Sequence, residues 1–290
     1  MHARAAVIPL LLCTLLAACV VRAPAPLAAP AMAISDATGM PDAADLGRRL
    51  QALLPTDVLL IGEQHDAPSH QQLQAAVVQT LAAEGRLAAV ALEMADRGAS
   101  TAGLAPQATE AQVQAALQWS DAAWPWAAYG PVVMTAVRAG VPVLGANLPR
   151  GQMKNAMFNI ALDDHLTLGL WQKQQDIIRE GHCDLLPVSQ IIPMTRIQTA
   201  RDAAMAQTVT AARQPSKTVL LVAGNGHVDR ELGVPTHLGR DVTARALVLS
   251  PARSPGDGTA SPAADAVWHT PPPPPKDYCA DLRQQMAPGR

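Results

Sequence analysis

Short apolar runs that alternate with helical patterns constrain the fold of this chain more than any other feature. The runs occupy positions 58–61, 87–92, 141–145, 218–223 and 244–249. Continuous apolar runs of this length are typical of strands that are buried on both faces of a sheet. The helical patterns lie at 45–54, 69–83, 110–118, 131–139, 163–179 and 192–212. This alternation predicts an α/β fold with a mainly parallel sheet flanked by helices, and the long segment 163–212 predicts a helical cap or insertion.

Polar residues follow four of these runs at the points where the strands are predicted to end. The set consists of Glu63 and His65 after the first run, Glu93 after the second, Asn147 after the third and His227 after the fourth. In an open parallel sheet the carboxyl ends of the strands face one crevice, and ligands bind there. The sequence therefore predicts a ligand site at this edge of the sheet.

The charged members of this set fit two kinds of chemistry. Glu63, His65, Glu93 and His227 suit a divalent metal ion, or an acid–base pair with an orienting carboxylate, as in a hydrolase. Each of them alone also has a structural interpretation, as a helix cap or a hydrogen-bonded loop residue. The sequence contains neither Gly-x-Ser-x-Gly nor His-Glu-x-x-His, so the common serine hydrolase and zincin signatures are absent.

The first 18 residues have the composition of a secretory signal. A basic start is followed by a mostly apolar run at 5–18, which is too short to cross a membrane as a permanent helix. The run ends in Leu-Ala-Ala-Cys, which resembles a bacterial lipobox, so we expect Cys19 to be the first mature residue and to carry lipid, including palmitate. An ordinary signal peptide with a chance cysteine is the alternative. Val20, which is not acidic, favours the outer membrane of the bacterial envelope, with the chain facing the periplasm.

Composition divides the rest of the chain into three parts. We expect an Ala/Pro-rich tether at 19–44, one α/β domain at 45–250 and a Pro-rich C-terminal tail at 251–290. The net charge of −2 and the lack of basic clusters argue against nucleic-acid binding. With no second long apolar segment, the expected membrane contact is the lipid alone.

Cysteine usage points to one disulfide. Cys13 leaves with the signal and Cys19 carries lipid, so Cys183 and Cys279 remain. In an oxidising envelope two remaining thiols predict a disulfide, which would fasten the tail to the domain. Two unpaired cysteines are the alternative.

Several segments, in order and at compatible spacing, match one known family. They are residues 59–66 (LLIGEQHD) with His70 and Gln71, 92–94 (LEM), 124–150 with its Tyr-Gly-Pro and Gly-Ala-Asn-Leu-Pro-Arg elements, 181–183, 200–206, 223–228 and 233–235. This pattern resembles the ChaN-like haem-binding uptake lipoproteins, of the superfamily that includes TraB, Tiki and the erythromycin esterases. The resemblance covers about residues 55–250. It implies a lipoprotein associated with haem or iron uptake and a fold like that of the esterase relatives.

The resemblance also implies a tyrosinate ligand for ferric haem iron, and Tyr129 stands in the matching segment. Iron in haem takes an axial ligand from His, Met, Cys or Tyr, and Tyr129 is the tyrosine of the predicted domain, whereas Tyr278 lies in the tail. Nearby tryptophans offer an aromatic surface for a porphyrin. His65 and His227 compete for the same role, and a tyrosine buried in the core is the alternative.

Haem propionates need cations or other polar partners. Arg150 is the candidate closest to a strand end, Asn147 precedes it, and Lys154, Arg196 and Arg201 are further candidates. Each of these residues also has an interpretation as a solvated or structural group.

Two functions follow from these observations. The first is a haem-binding protein of haem or iron uptake, either alone or as a homodimer that encloses two porphyrins, with an outer-membrane haem receptor as an expected partner. The second is a hydrolase, esterase-like or protease-like, that uses Glu63, His65, Glu93 and His227. Whether the protein is an enzyme stays open at this stage.

Overall fold

A computed structural model describes residues 33–35, 39–252 and 262–286 of the chain. The predicted signal peptide, the lipidation site Cys19 and most of the predicted tether lie outside these ranges. Within the described ranges, no helix combines the length and the apolar character that a membrane crossing requires.

The central element is a seven-stranded sheet in which every neighbouring pair is parallel. The strands are β1 (Ala33–Ser35), β2 (Val58–Glu63), β3 (Leu87–Asp96), β4 (Val143–Asn147), β5 (Thr218–Gly224), β6 (Ala244–Pro251) and β7 (Ala266–Thr270). Their order is β1-β7-β6-β2-β5-β3-β4. The predicted α/β class with a parallel sheet is therefore confirmed.

Helices cover both faces of this sheet. They are α1 (Ala43–Gln51), α2 (Pro68–Ala83), α3 (Glu110–Ala116), α4 (Trp126–Arg138), α5 (Arg150–Phe158), α6 (Leu168–Gly181), α7 (Val188–Ala211) and α8 (Tyr278–Met286). Short 3₁₀ helices occupy Ile160–Asp164, Asn225–Val228 and Val234–His237.

The two faces explain why the strand sequences are apolar without interruption. In β2, Leu59 and Ile61 pack in the core beneath α1 to α4, whereas Val58 and Leu60 pack in the core beneath α7. Successive side chains of a strand point to opposite faces, so a sheet covered on both sides needs apolar residues at every position. Helix α7 supplies Met205 to the second core. The predicted long helical segment is thus a layer over one face of the sheet.

The sheet extends beyond the predicted domain limits of 45 and 250. Strand β7 pairs with β6, and β1 pairs with β7. Ala266–Thr270, within the predicted tail, is therefore a strand of this sheet. The high proline and small-residue content around Ala266–Thr270 hid this five-residue strand, which is too short to give a clear apolar run.

Candidate functional site

The carboxyl ends of three adjacent strands enclose a cavity of about 450 Å³. Strand β5 lies between β2 and β3 in the sheet, so the residues that follow these three strands meet at one edge. Of the predicted site residues, Glu63, His65, Glu93 and His227 line the cavity. This is the strand-end crevice that parallel topology predicts.

Two backbone features allow these side chains to converge. The pairing of β3 with β4 is irregular between Leu92 and Asp96, and a bulge of this kind re-aims the side chains within it, here that of Glu93. At the end of β5, a Cβ on Gly224 would lie 2.9 Å from His65 Nε2. The absence of a side chain at Gly224 therefore leaves the space that His65 occupies.

Glu63 and His65 form a carboxylate–imidazole pair at the cavity wall. The distance from His65 Nδ1 to Glu63 Oε1 is 2.8 Å, and the Glu63 side chain is fully buried. The same oxygen accepts a hydrogen bond of 2.7 Å from Tyr129 Oη, and Oε2 accepts from Gln71 and Gln74 of α2 at 2.9 and 2.7 Å. Each Glu63 oxygen thus accepts two hydrogen bonds. In a neutral His65, Nδ1 therefore carries the hydrogen that is donated to Glu63, and Nε2 keeps its lone pair.

His65 itself is accessible from the cavity, since its side chain is 38% exposed. Burial acts to lower its pKa, but the hydrogen bond that His65 donates to Glu63 and the charges of Glu93 and Glu63 raise the pKa above the ordinary histidine value. Its Nε2 lies 3.7 Å from Glu93 Oε2.

Glu93 is a buried carboxylate held by three partners. Its Oε1 accepts a hydrogen bond of 2.5 Å from Arg201 Nη2 and lies 3.4 Å from His227 Nε2. Its Oε2 accepts the backbone N–H of Gly224 at 2.7 Å. Burial acts to raise the pKa of Glu93, but His227 and Arg201 outweigh it and hold the pKa far below its usual range. Glu93 is therefore a fixed negative charge at the floor of the cavity.

His227 lies between two carboxylates. Its Nδ1 is 2.6 Å from Asp202 Oδ1, and the imidazole is almost fully buried. Burial acts to lower its pKa, but the charges of Glu93 and Asp202 raise the pKa to about 9. Burial raises the pKa of Asp202 to about 6. At neutral pH His227 is thus a cation that offsets the carboxylates around it.

Tyr129 does not reach the cavity. It is 1% exposed, and its hydroxyl donates to Glu63. Burial and the charge of Glu63 raise its pKa well above the ordinary tyrosine value, so the phenol stays protonated. Trp119 and Trp124 pack against its ring with centroids at 6.1 and 5.9 Å. The Tyr129 oxygen thus lies in the core and outside the residues that line the cavity, and its role as axial ligand stays a prediction.

The predicted propionate partners are also placed differently. Arg150 is exposed, lies outside the residues that line the cavity, and its backbone N–H donates to Asp96 Oδ2 at 3.2 Å. Asn147 is buried and accepts a hydrogen bond of 2.9 Å from Arg201 Nε, so it positions Arg201. Arg196 pairs with Asp163 at 2.6 Å. The arginine that lines the cavity is Arg201, which was only a secondary candidate.

The alternative of a divalent metal held by Glu63, His65, Glu93 and His227 is not supported. Both nitrogens of His227 face carboxylates, and both oxygens of Glu63 accept hydrogen bonds from neighbouring side chains. In the described part of the chain, no group of three or more His, Cys, Asp or Glu side chains has an arrangement that holds a metal ion.

Sequence reasoning missed the residues of two helices. Gln71 and Gln74 sit three positions apart on α2, and Asp202 stands in the otherwise Ala- and Met-rich segment 200–206 of α7. A carboxylate inside an apolar helical stretch is a signal for a buried polar partner. That signal was available in the sequence but did not identify the partner, His227.

The C-terminal segment contributes one further residue to the cavity. Cys183, which follows α6, and Cys279 in α8 are joined by a disulfide with a Cα–Cα distance of 5.6 Å. The neighbouring Tyr278 lines the cavity. Its Oη donates to Asp66 Oδ2 at 2.7 Å and accepts from Gln64 Nε2 at 2.9 Å.

A solved structure shares this fold. A structure of cofacial haem binding to ChaN of Campylobacter jejuni is 23% identical to this chain, with a TM-score of 0.58, and the match covers 72% of this chain and 87% of that chain. A Bacillus cereus protein is 12% identical over 75% of this chain and 71% of that chain, with a TM-score of 0.47. The type III effector HopBA1 is 16% identical over 74% of this chain and 88% of that chain, with a TM-score of 0.41. The last two likenesses are too distant to inform the site.

The comparison with family models is more specific. No curated protein sequence gives a match. One family model, described as haem-binding uptake, Tiki superfamily, ChaN, matches residues 49–238. This range is well over half of the 290 residues and contains the ends of β2, β3 and β5 that enclose the cavity. The chain therefore belongs to the ChaN family of haem-binding uptake proteins in the Tiki superfamily.

Proposed function

We propose that this protein binds haem at the strand-end cavity and acts in haem and iron uptake. The observation that carries the proposal is that the family match, residues 49–238, includes almost every side chain that lines the cavity. The 23% identical Campylobacter structure shares the fold and is described as binding haem. Haem is therefore the first ligand to test at this site.

The chemistry of the cavity fits ferric haem. Side chains of the types that ligate haem iron, an imidazole and a phenol, reach it through His65 and Tyr278. The lining holds both signs of charge, since the carboxylates of Glu63 and Glu93 lie beside the cations Arg201 and His227. A positive ferric centre and negative propionates therefore both have partners of opposite charge here. A haem bound at this site would need a protein side chain to ligate its iron.

Titration of the full-length, detergent-solubilised protein with hemin tests the proposal. We expect a saturable Soret shift in the wild type. Gly226 lines the cavity, and nothing lies within 4 Å of an added Cβ there, so Gly226→Trp is expected to occupy the cavity and should abolish the saturable shift. Gly169→Trp is the matched control, since its Cβ position is equally open and lies outside the cavity lining. No saturable shift in the wild type, or equal binding by both variants, contradicts the proposal.

A hydrolase is the second candidate, and the accessible His65 favours it. The lone pair of His65 Nε2 faces the cavity while Glu63 orients the ring, which is the arrangement of a general base that activates water. Under this alternative His65 takes the proton of the water, and the cationic Arg201 and His227 near Glu93 stabilise developing negative charge. Porphyrin binding does not require such a pair.

Ester hydrolysis by the full-length protein separates the two candidates. A turnover that falls by about a hundredfold in His65→Asn, the typical contribution of a general base, supports the hydrolase. The matched control is His182→Asn, because His182 lies outside the cavity. If the wild type hydrolyses the ester no faster than His65→Asn, the hydrolase alternative is contradicted.

We also propose that the protein is held at the bacterial outer membrane, facing the periplasm, through lipid on Cys19. The lipobox-like sequence before Cys19 supports this. Labelling with radioactive palmitate tests it: the wild type should incorporate label and fractionate with outer membranes, and Cys19→Ser should do neither. Label in Cys19→Ser contradicts the assignment.

Two partners complete the proposal. By analogy with the cofacial haem binding described for Campylobacter ChaN, we propose that two copies of this chain bring two haems face to face, and that an outer-membrane haem receptor supplies the haem. Light scattering with and without hemin tests the first part. A mass that stays monomeric at saturating hemin contradicts it.

A further inference from the structure

A C-terminal strap, residues 271–286, forms one side of the opening of the strand-end cavity and lies outside the family match. Its Tyr278 lines the cavity, although 46% of this residue is exposed to solvent. A residue that meets both the cavity and the solvent lies at the opening and not at the floor. The strap is therefore placed where a ligand enters or leaves the cavity.

The strap is attached to the β2 side of the cavity by hydrogen bonds. At its start, Pro271 O accepts a bond of 3.1 Å from Ser69 Oγ at the beginning of α2. Further along, Tyr278 Oη donates to Asp66 Oδ2 at 2.7 Å, on the loop that follows β2. Asp66 itself lines the cavity. The strap thus lies along one wall of the site.

The next residue of the strap is bonded to a different part of the domain. Cys279 forms the disulfide with Cys183, which lies in the connection between α6 and α7, with a Cα–Cα distance of 5.6 Å. Helix α7 supplies Gln198 and Arg201 to the cavity lining. Two consecutive residues of the strap therefore join the β2 side of the opening to the segment that leads into α7.

Packing contributes little to the position of this strap. None of the nine residues of α8 is buried, and a helix of this length is marginal in water without tertiary support. The five prolines at 271–275 carry no backbone N–H, so they cannot donate hydrogen bonds to the domain. The disulfide is therefore the main restraint on the position of α8.

We propose that the strap is a lid at the opening of the strand-end cavity and that the Cys183–Cys279 disulfide is its latch. While the latch is closed, the strap narrows the opening. When the latch is broken, α8 leaves its place and the cavity becomes more accessible. The proposal goes beyond the proposed haem function and does not depend on it, because it holds for any ligand of the cavity.

A dithiol reductant of the cell envelope can open the latch. Cys183 and Cys279 are both half-buried, so a thiolate has access to the bond from solvent. One thiolate of the reductant attacks one sulfur and forms a mixed disulfide, and the other cysteine leaves and takes up a proton. The second thiolate of the reductant then attacks the mixed disulfide and releases the second cysteine. The latch gains two electrons and two protons in total, and the reductant becomes a disulfide.

Thiol labelling inside the cavity tests the lid. Gln198 is half-buried and lines the cavity, so Gln198→Cys places a thiol in the cavity wall. The full-length, oxidised protein is treated with N-ethylmaleimide, and peptide mass spectrometry follows the label at residue 198 and verifies the Cys183–Cys279 bond. When Cys183→Ser and Cys279→Ser are added, we expect labelling at residue 198 to become about tenfold faster through local opening.

Thr208→Cys is the matched control. Thr208 is half-buried on the same helix and lies outside the cavity lining, so its labelling rate should be the same with and without the latch. Reduction of the Gln198→Cys protein with dithiothreitol, which is removed without oxygen before labelling, should give the same gain at residue 198 as the two serine substitutions.

The outcomes are distinct from those of the hemin titration, because no haem is present in this assay. Equal labelling at residue 198 with the latch closed and with the serine substitutions overturns the lid. A gain of the same size in Thr208→Cys also overturns it, since α7 as a whole would then have loosened. A gain with the serine substitutions but none in protein whose two thiols are verified as reduced overturns the opening by a dithiol.

Discussion

Tyr129 Oη donates a hydrogen bond of 2.7 Å to Glu63 Oε1 beneath the cavity, and neither side chain is exposed to solvent. The phenol is therefore a support for the carboxylate that orients His65. The Tyr129 hydroxyl donates to one lone pair of the buried Glu63 carboxylate. A buried charge that lacks such a partner destabilises the fold.

Removal of the Tyr129 hydroxyl should destabilise the protein. Tyr129→Phe leaves Glu63 with one donor fewer, and we expect a loss of about 1–3 kcal/mol in the free energy of unfolding. Urea unfolding followed by circular dichroism measures it. Tyr278→Phe is the matched control, because the hydroxyl of Tyr278 is bonded at the surface, and it should cost no more than about 0.5 kcal/mol. Equal losses in the two variants would show that Tyr129 does not support Glu63.

The sequence predicted the sheet and the converging strand ends but not the pairing within the site. The apolar runs at the strands follow from burial on both faces, and local patterns carry that information. The contacts of Glu63 with Tyr129 and of His227 with Asp202 join residues 66 and 25 positions apart. Which residues form such pairs depends on the order of the strands in the sheet, and no local sequence pattern contains that order.

The place of Tyr278 in the cavity lining was hidden for the same reason. Tyr129 and Tyr278 are equivalent as residue types, but the C-terminal segment that brings Tyr278 to the cavity depends on β7 and on the disulfide between Cys183 and Cys279. Its proline-rich sequence indicated an extended tail. The two anchor points that turn this tail into part of the site are visible only in the folded chain.

Arg201 should be essential for the stability of the cavity floor. Arg201→Met removes the 2.5 Å partner of the buried Glu93 carboxylate, and the loss of one partner of a buried ion pair costs about 3–5 kcal/mol. We expect the lower end of this range, because the Gly224 N–H and the His227 cation remain. Thermal and urea unfolding measure the loss.

A surface ion pair provides the comparison for Arg201. Arg179 pairs with Asp176 on α6, and both side chains are largely exposed. Arg179→Met should therefore cost about 0.5 kcal/mol or less. If Arg201→Met costs as little as Arg179→Met, Glu93 does not depend on its ion pair.

Acid should destabilise the protein through a stacked histidine pair. His165 and His237 lie parallel with ring centroids 3.7 Å apart. Burial and the neighbouring His165 lower the pKa of His237 to about 4, and burial lowers that of His165. Because the folded pKa of His237 is below the unfolded value, its contribution to stability is complete above pH 6.5 and is lost as the pH falls toward 4.

His237→Leu tests this pH dependence. The variant removes the titrating group and also a buried Nε2 that has no hydrogen-bond partner. We expect the decline in the free energy of unfolding between pH 6.5 and 4 to become smaller by on the order of 1 kcal/mol, after allowance for solvent screening. His182→Asn, outside the stacked pair, should keep the wild-type slope. An unchanged slope in His237→Leu would contradict the assignment.

Reduction of the disulfide should release α8 while leaving the sheet intact. None of the nine residues of α8 is buried, and a helix this short is marginal in water without tertiary support. We therefore expect amide hydrogen exchange in Tyr278–Met286 to become much faster after reduction, or in the double variant Cys183→Ser/Cys279→Ser. Peptides from the buried strand β2 are the internal control and should keep their protection. Persistent protection of α8 after reduction would show that contacts other than the disulfide hold this helix in place.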